Sequence, residues 1–416
     1  MTVQRAMPRL LSGFTTLAVV FIGLRVLLLL AYQPLLIDNA ERGVTVGGDY
    51  LYYYLLVQPT DAGLYPFRDW WSEFPPLWSV IEVGLYRLLG GEASYGSYAT
   101  LLAGVMLACD FGNFVLLRLM GIRLYGETEG QALAWVYALL LAPLVFAFWT
   151  FEPLVVVFLL LGLWLLLRGR DVSSAVVAGL GALTKFVPAL LFGAVIRFRA
   201  VRASAIYIVI AVAVFAVPYA VLLANPSTRQ MTLPSLTAQF NKASYQTVWA
   251  LLDGNLSTGV FGSVSERTDV TNATLPRGNP PVVPGIVRLA GAAAVGLFIF
   301  VRTRRTDERG VVAFVLVTLL IFYLQSQGWS PQWLVGILPL TLLCFPTARG
   351  VQVCVLLSLV TFAEYPLLFI RTGATGGVIS GELVLPFTVL VLVRTAILVG
   401  LVVALYRVLR GHPAAV

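Results

Sequence analysis

Asp49 stands between Gly48 and Tyr50, with Tyr52, Tyr53 and Tyr54 close behind it, in a chain otherwise poor in charge. A carboxylate in that setting can take the proton of an attacking hydroxyl, while tyrosine rings stack on sugar faces and their phenols hydrogen-bond to them. A solvated loop acid beside interfacial tyrosines has the same composition. Glu73 opens a second element, Glu73-Phe74-Pro75-Pro76-Leu77, in which the prolines fix the start of a helix and leave Glu73 aimed at the preceding loop; Tyr65 and Pro66 form a similar pair. Lys185 and Lys242 are the only lysines. A cation held at lipid depth by Lys185-Phe186-Val187-Pro188 can bind the phosphate of a lipid carrier, and snorkelling of a long side chain accounts for it as well. Lys242 belongs to a polar and aromatic run with Gln239, Asn241, Tyr245, Gln246, Thr247 and Trp249, of the kind that lines sugar sites. Gln325, Gln327, Trp329, Ser330, Gln332 and Trp333 make a tighter cluster, where placement at the membrane interface explains the tryptophans but not the glutamines.

The elements that must position these residues are apolar. With 59% hydrophobic and 12% charged residues and a mean hydropathy of +0.88, the chain reads as an all-α polytopic membrane protein. Candidate spans are 11–33, 97–121, 131–149, 153–168, 203–224, 283–301, 310–326, 332–347, 350–370 and 383–406. The first follows Arg5 and Arg9 and is too long for a cleaved signal sequence, which predicts a retained span. Residues 75–90 are amphipathic and too short to cross comfortably, so they predict a juxtamembrane helix.

Residues 172–197 pose a topological problem, because Arg168 and Arg170 precede them and Arg197, Arg199 and Arg202 follow. A single crossing would place one cluster outside. Two short helices broken near Lys185 return the chain to its starting side and satisfy the positive-inside rule. The sum is about twelve membrane segments with both termini cytoplasmic. Two external loops, 34–96 and 225–282, then share one face with the links around Glu152, Trp329 and Gly373, in a single membrane domain spanning 1–416.

Inside the spans, Asp110, Glu364, Arg25, Arg288 and Arg394 each need a partner or a wet cavity, since an unpaired charge there costs about 3 kcal/mol or more. The net charge of +8 is spread in small arginine clusters between apolar runs, so it reads as a topology signal and not as a nucleic-acid surface. His412 is the only histidine and lies in the tail, which leaves no histidine-based catalyst or metal ligand in the membrane domain. A phosphate-cradling GxxxxGK[ST] loop is missing, so a donor carried by lipid fits better than a soluble nucleotide.

Taken together, the motifs resemble the GT-C superfamily of membrane glycosyltransferases, particularly the bacterial polyprenyl-phosphate-mannose-dependent α-mannosyltransferases. The likeness rests on GGDYLYY around Asp49, LYP at Tyr65, EFPPLW at Glu73, Asp110 in the next span, TKFVP around Lys185, SYQTVWALL at Gln246 and SPQW at Gln332. It implies a GT-C-like bundle of about twelve membrane helices with a juxtamembrane helix in the first external loop. It also implies that Asp49 is the general base of an inverting, metal-independent transfer of a sugar, mannose by the closest likeness, from a polyprenyl-phosphate donor to a lipid or glycan acceptor at the extracytoplasmic face. No cofactor is implied beyond the lipid-linked donor. Lys185 would bind the lipid phosphate, with Lys242 or an intramembrane arginine, and Tyr52, Tyr53, Tyr65, Glu73, Gln246 and Gln332 would line the sugar or acceptor pocket. The sequence departs from the pattern at Glu152, where many relatives have aspartate, and at Lys242, which replaces arginine. A polytopic transporter or lipid flippase is the rival reading, because the buried ionisable residues suit a translocation path; transporters usually show repeated halves, and none is visible here.

Overall fold

The computed structural model describes residues 11, 13–31, 49–259, 262–372 and 377–411. Gly47 and Gly48, Arg5, Arg9, His412, Gly373 and the part of the first loop before Asp49 lie outside the described residues. Among the described residues, regular structure is helical, with isolated bridges at Pro66–Trp70, Tyr245–Gly328 and Ser257–Val378. Helices satisfy every backbone donor and acceptor within one segment, which is what hydrocarbon demands. Six are long and apolar enough to cross a membrane: Tyr95–Tyr125, Val201–Ala224, Gly285–Arg302, Glu308–Gln325, Ala348–Leu368 and Gly381–Leu409. Shorter apolar helices at Phe14–Leu30, Glu152–Leu167, Asp171–Ala182, Val187–Phe198 and Pro331–Cys344 coincide with the predicted segments 11–33, 153–168, the two halves of 172–197 and 332–347. The chain is a multi-pass membrane protein.

The core lies where apolar residues cover a helix all round. Every residue of the helix Leu334–Cys344 is buried, as expected of a helix with no polar face. Outer helices are the opposite case: only 11% of the window in Gly285–Arg302 and 17% in Val201–Ala224 is buried, against 61% in Glu308–Gln325. Their exposed leucines, valines and isoleucines face lipid.

The region 172–197 folds as the arginine pattern predicts. Helix Asp171–Ala182 ends at Leu183, and the chain restarts as a 3₁₀ turn, Val187–Leu190, that continues into helix Leu191–Phe198. Arg199 Nε donates to both carboxylate oxygens of Asp171 at 3.1 Å, so the two ends of the hairpin meet on one face. Its tip carries Lys185. The crossing is tight at Gly181, where a Cβ would come within 2.6 Å of Phe158 and 2.7 Å of Pro188.

Three features differ from the sequence reading. The span expected at 131–149 breaks at Leu140 into Glu127–Leu139 and Leu141–Phe146, since Pro143 lacks an N–H and its ring clashes with the carbonyl four residues back. Residues after Asp49 form the helix Tyr50–Val57, burying Tyr50, Tyr53, Leu56 and Val57 at helical spacing. The second loop likewise carries a helix, Pro226–Thr237, started by Asn225, whose side chain accepts from Ser227 N–H. The juxtamembrane helix is Pro76–Leu88, with Trp78, Ser79, Glu82, Leu85 and Tyr86 on its buried face and Val80 and Leu88 exposed.

Candidate active site

Asp49 occupies the N-cap position of helix Tyr50–Val57, yet its side chain makes no capping bond. Instead its carboxylate accepts from the Tyr53 hydroxyl at 3.3 Å. Its backbone N–H donates to Trp149 O at 2.8 Å, which ties it to the link that leads into Glu152. Burial, and next the charge of Glu73, push the carboxyl up to about 6; Lys242, the Tyr53 hydroxyl and Lys185 pull the other way. Such a value suits a general base near neutral pH. Two loop carboxylates and two lysines therefore act on one another around Tyr53.

Glu73 is held by a residue from the other loop. Arg267 Nη2 lies 2.8 Å from its carboxylate, also contacts the Tyr52 hydroxyl, and is 1% exposed. The guanidinium lies 3.9 Å from the Trp71 ring centroid, a cation–π stack that fixes its plane. Trp71 N–H donates to Arg267 O at 3.0 Å and Trp71 Nε1–H to Asp269 O at 3.1 Å, so the two loops are stitched together here. Gln239 Nε2 reaches Glu73 at 3.3 Å, and Gln327 Nε2 in turn holds Gln239 O at 2.5 Å. On the far side of Tyr53, Glu82 is 3% exposed, and burial pushes its carboxyl well up.

Lys185 reaches this site from the hairpin tip. Its Nζ is 2.6 Å from Glu152 Oε2 and 5.7 Å from the Trp333 ring centroid. Trp333 stacks on Tyr323 at 4.1 Å. The start of the juxtamembrane helix is pinned to the same tip by Leu77 N–H donating to Leu183 O at 3.0 Å. Lys242 lies 5.1 Å from the Tyr245 ring centroid.

The remaining predicted residues divide. Gln246 is buried in a left-handed backbone conformation, φ 52°, with its carbonyl accepting from Arg394 and its Nε2 without a partner among the described residues. Arg394 pairs with Glu364 and lies 4.5 Å from the Trp329 ring centroid. Gln332 is half-buried in the turn before Trp333. Tyr65 is exposed, and its contacts run to Arg68 and Asp69 within its own turn. Deeper in the bundle Arg25 and Asp110, both fully buried, pair at 2.6 Å, with the Tyr137 hydroxyl donating to Asp110 at 2.7 Å.

Sequence reasoning missed Arg267 and the pairing of Lys185 with Glu152. Glu152 and Lys185 were both marked by their surroundings, but Arg267 sits in a plain polar stretch, Ser265-Glu266-Arg267-Thr268. Its partner Glu73 is 194 residues away.

Residues 77–326 match the profile of glycosyltransferase family 87, more than half of the chain. The chain belongs to that family. Lys185, Lys242, Gln246 and Arg267 of this family 87 member lie inside the matched stretch, Asp49 and Glu73 precede it, and Gln332 follows. Membership bears out the membrane glycosyltransferase resemblance drawn from the motifs. Among solved structures, an Archaeoglobus fulgidus oligosaccharyltransferase tethered to an acceptor peptide with an NVT sequon is similar at 13% identity and a TM-score of 0.43. The likeness covers 96% of the family 87 chain and 55% of that one. The chain thus spans about half the length of that protein. Comparison with curated proteins gives no match.

Proposed function

We propose that this family 87 glycosyltransferase moves a sugar, mannose by motif likeness, from a polyprenyl-phosphate donor to a lipid or glycan acceptor at the extracytoplasmic face. The observation that carries the reading is the convergence of Asp49 and Lys185 on one link: Asp49 N–H bonds Trp149 O at 2.8 Å and Glu152, three residues on, holds Lys185 at 2.6 Å, with the charges of Lys185 and Lys242 both acting on the Asp49 carboxyl. A base and two phosphate-seeking cations on one site fit an acceptor hydroxyl on one side and a lipid phosphate on the other.

In this reading the acceptor oxygen attacks the anomeric carbon from the face opposite the phosphate, and its proton passes to Asp49. The bond from the anomeric carbon to the phosphate oxygen breaks with its electron pair, leaving polyprenyl phosphate beside Lys185 and Lys242. Configuration inverts. Orientation and cationic stabilisation of the leaving group supply the catalysis, without a metal or other cofactor. Glu152 holds Lys185 at 2.6 Å before the donor arrives, keeping the ammonium aimed at the site. Tyr52, Glu73, Gln246 and Gln332 provide acceptors and donors for sugar hydroxyls.

An apolar groove near the hairpin supports a lipid-borne donor. An apolar groove of about 280 Å³ runs between Leu190, five residues beyond Lys185, and the helices bearing Leu289, Ala292, Gly296, Ile321 and Phe322. Small residues on the helix Gly285–Arg302 leave room along it. The positive-inside rule supports assigning the hairpin tip and both loops to the extracytoplasmic face, with the arginine clusters and both termini cytoplasmic.

Purified protein in lipid discs, given polyprenyl-phosphate-mannose labelled in the sugar and a membrane-lipid extract as acceptor, yields labelled glycolipid. Asp49→Asn lowers the rate by at least about 100-fold with folding intact. Full turnover by that variant would remove Asp49 from the base role. Movement of a labelled solute across sealed vesicles, with no new glycosidic bond, would favour a transporter.

A further inference from the structure

We infer that Arg267 is the positioning residue of this site: reaching in from the second loop, it presents Glu73 and Tyr52 beside Asp49 in the geometry that sugar hydroxyls need. The inference rests on the sugar-transfer reading for its purpose, but not for its test. Arg267 is nearly the most enclosed charge among the described residues, and nothing in the sequence marks it. Its stack on Trp71 at 3.9 Å fixes the plane of the guanidinium, and within that plane Nη2 serves both Glu73, at 2.8 Å, and the Tyr52 hydroxyl.

Glu73 has a side chain only 8% exposed, so an ionised carboxylate there needs its counter-charge. Without Arg267 the enclosed carboxylate loses its counter-charge and the contact that sets it beside the Tyr52 hydroxyl. Arg267 therefore bears on Asp49 by way of Glu73, which it holds directly. The groups acting on Asp49 are Glu73, Lys242, Tyr53 and Lys185. Arg267 and Gln239 hold Glu73, and the buried Glu82 titrates under the influence of both Glu73 and Arg267.

The test is infrared difference spectroscopy of the full-length protein across pH, following the Asp49 carboxyl band identified by its loss in Asp49→Asn. No sugar transfer is required, so a failure of the transfer reading and a failure of this inference register separately. Glu73→Gln removes a like charge and lowers the Asp49 midpoint by about one pH unit. Arg267→Met is expected to move it measurably, Arg267→Lys to leave it near wild type, and Arg267→Met with Glu73→Gln to match Glu73→Gln alone. If Arg267→Met melts early, Arg267→Gln gives the same comparison. An unmoved midpoint in these variants, or a double variant shifted by the sum of the singles, would overturn the inference.

Discussion

At the scale of single residues, the proposed chemistry turns on Asp49 acting as a base and not as a cap. Its side chain forgoes the helix N-terminus and faces Tyr53, where burial and Glu73 hold its carboxyl near 6. Ionisation is what the reaction needs, so kcat/KM should rise as pH increases through about 6 and level off above it. A flat profile from pH 5 to 8 would remove Asp49 from control of the rate. The same value bears on stability: a carboxyl with a raised folded-state pKa favours the folded chain at low pH and loses that contribution as pH climbs from about 4 to about 6. Much of this was legible in the sequence, because Asp49, Glu73 and Lys185 sit in local patterns that few other residues of the chain share. Arg267 was not, since what distinguishes it is a stack on Trp71 and a pair with Glu73 that exist only after two distant loops fold together.

At the scale of elements, the hairpin carries the lysine to the site. Its existence followed from charge counting alone, because two arginine clusters on one face require the chain to return. The break at Leu140 carried a local signal, Pro143, which the apolar run around it masked, whereas the helix Tyr50–Val57 depends on burial that local apolarity does not encode. The hairpin crossing also limits what the sequence tolerates. Gly181→Ala places a methyl group within 2.6 Å of Phe158 Cβ and 2.7 Å of Pro188, a steric conflict that costs about 1–3 kcal/mol. We expect a lower melting temperature and weakened donor binding in that variant, because the tip bearing Lys185 must shift. Unchanged melting and unchanged KM for the donor would mean that the hairpin absorbs the methyl without moving its tip.

At the scale of the whole molecule, the bundle has two chemically distinct ends joined by a paired interior. Arg25 and Asp110 are each 0% exposed and bond one another, and removing one partner of such a pair strands a charge at a cost of about 3–5 kcal/mol. Asp110→Ala should therefore destabilise the protein far more than Arg25→Met combined with Asp110→Leu, a comparison read by thermal melting in detergent. Equal losses in the two would mean that the pair contributes packing and little electrostatics. Sidedness has its own test. Ser263 is exposed in the second loop and Thr306 is exposed at the opposite end, while Cys344 and Cys354 are buried. A membrane-impermeant maleimide should label Ser263→Cys in intact cells and Thr306→Cys only after permeabilisation; the reverse pattern would invert the proposed topology.

The central claim is that one site holds both the base and the phosphate of a lipid-borne sugar. An experimental structure of Asp49→Asn, blocked in turnover and bound to intact polyprenyl-phosphate-mannose, tests it most directly. The account predicts the phosphate within ion-pair reach of Lys185, the polyprenyl chain in the groove past Leu190, and the open face of the anomeric carbon turned toward position 49. A donor whose phosphate lies away from Lys185, or whose sugar sits out of reach of position 49, would contradict it.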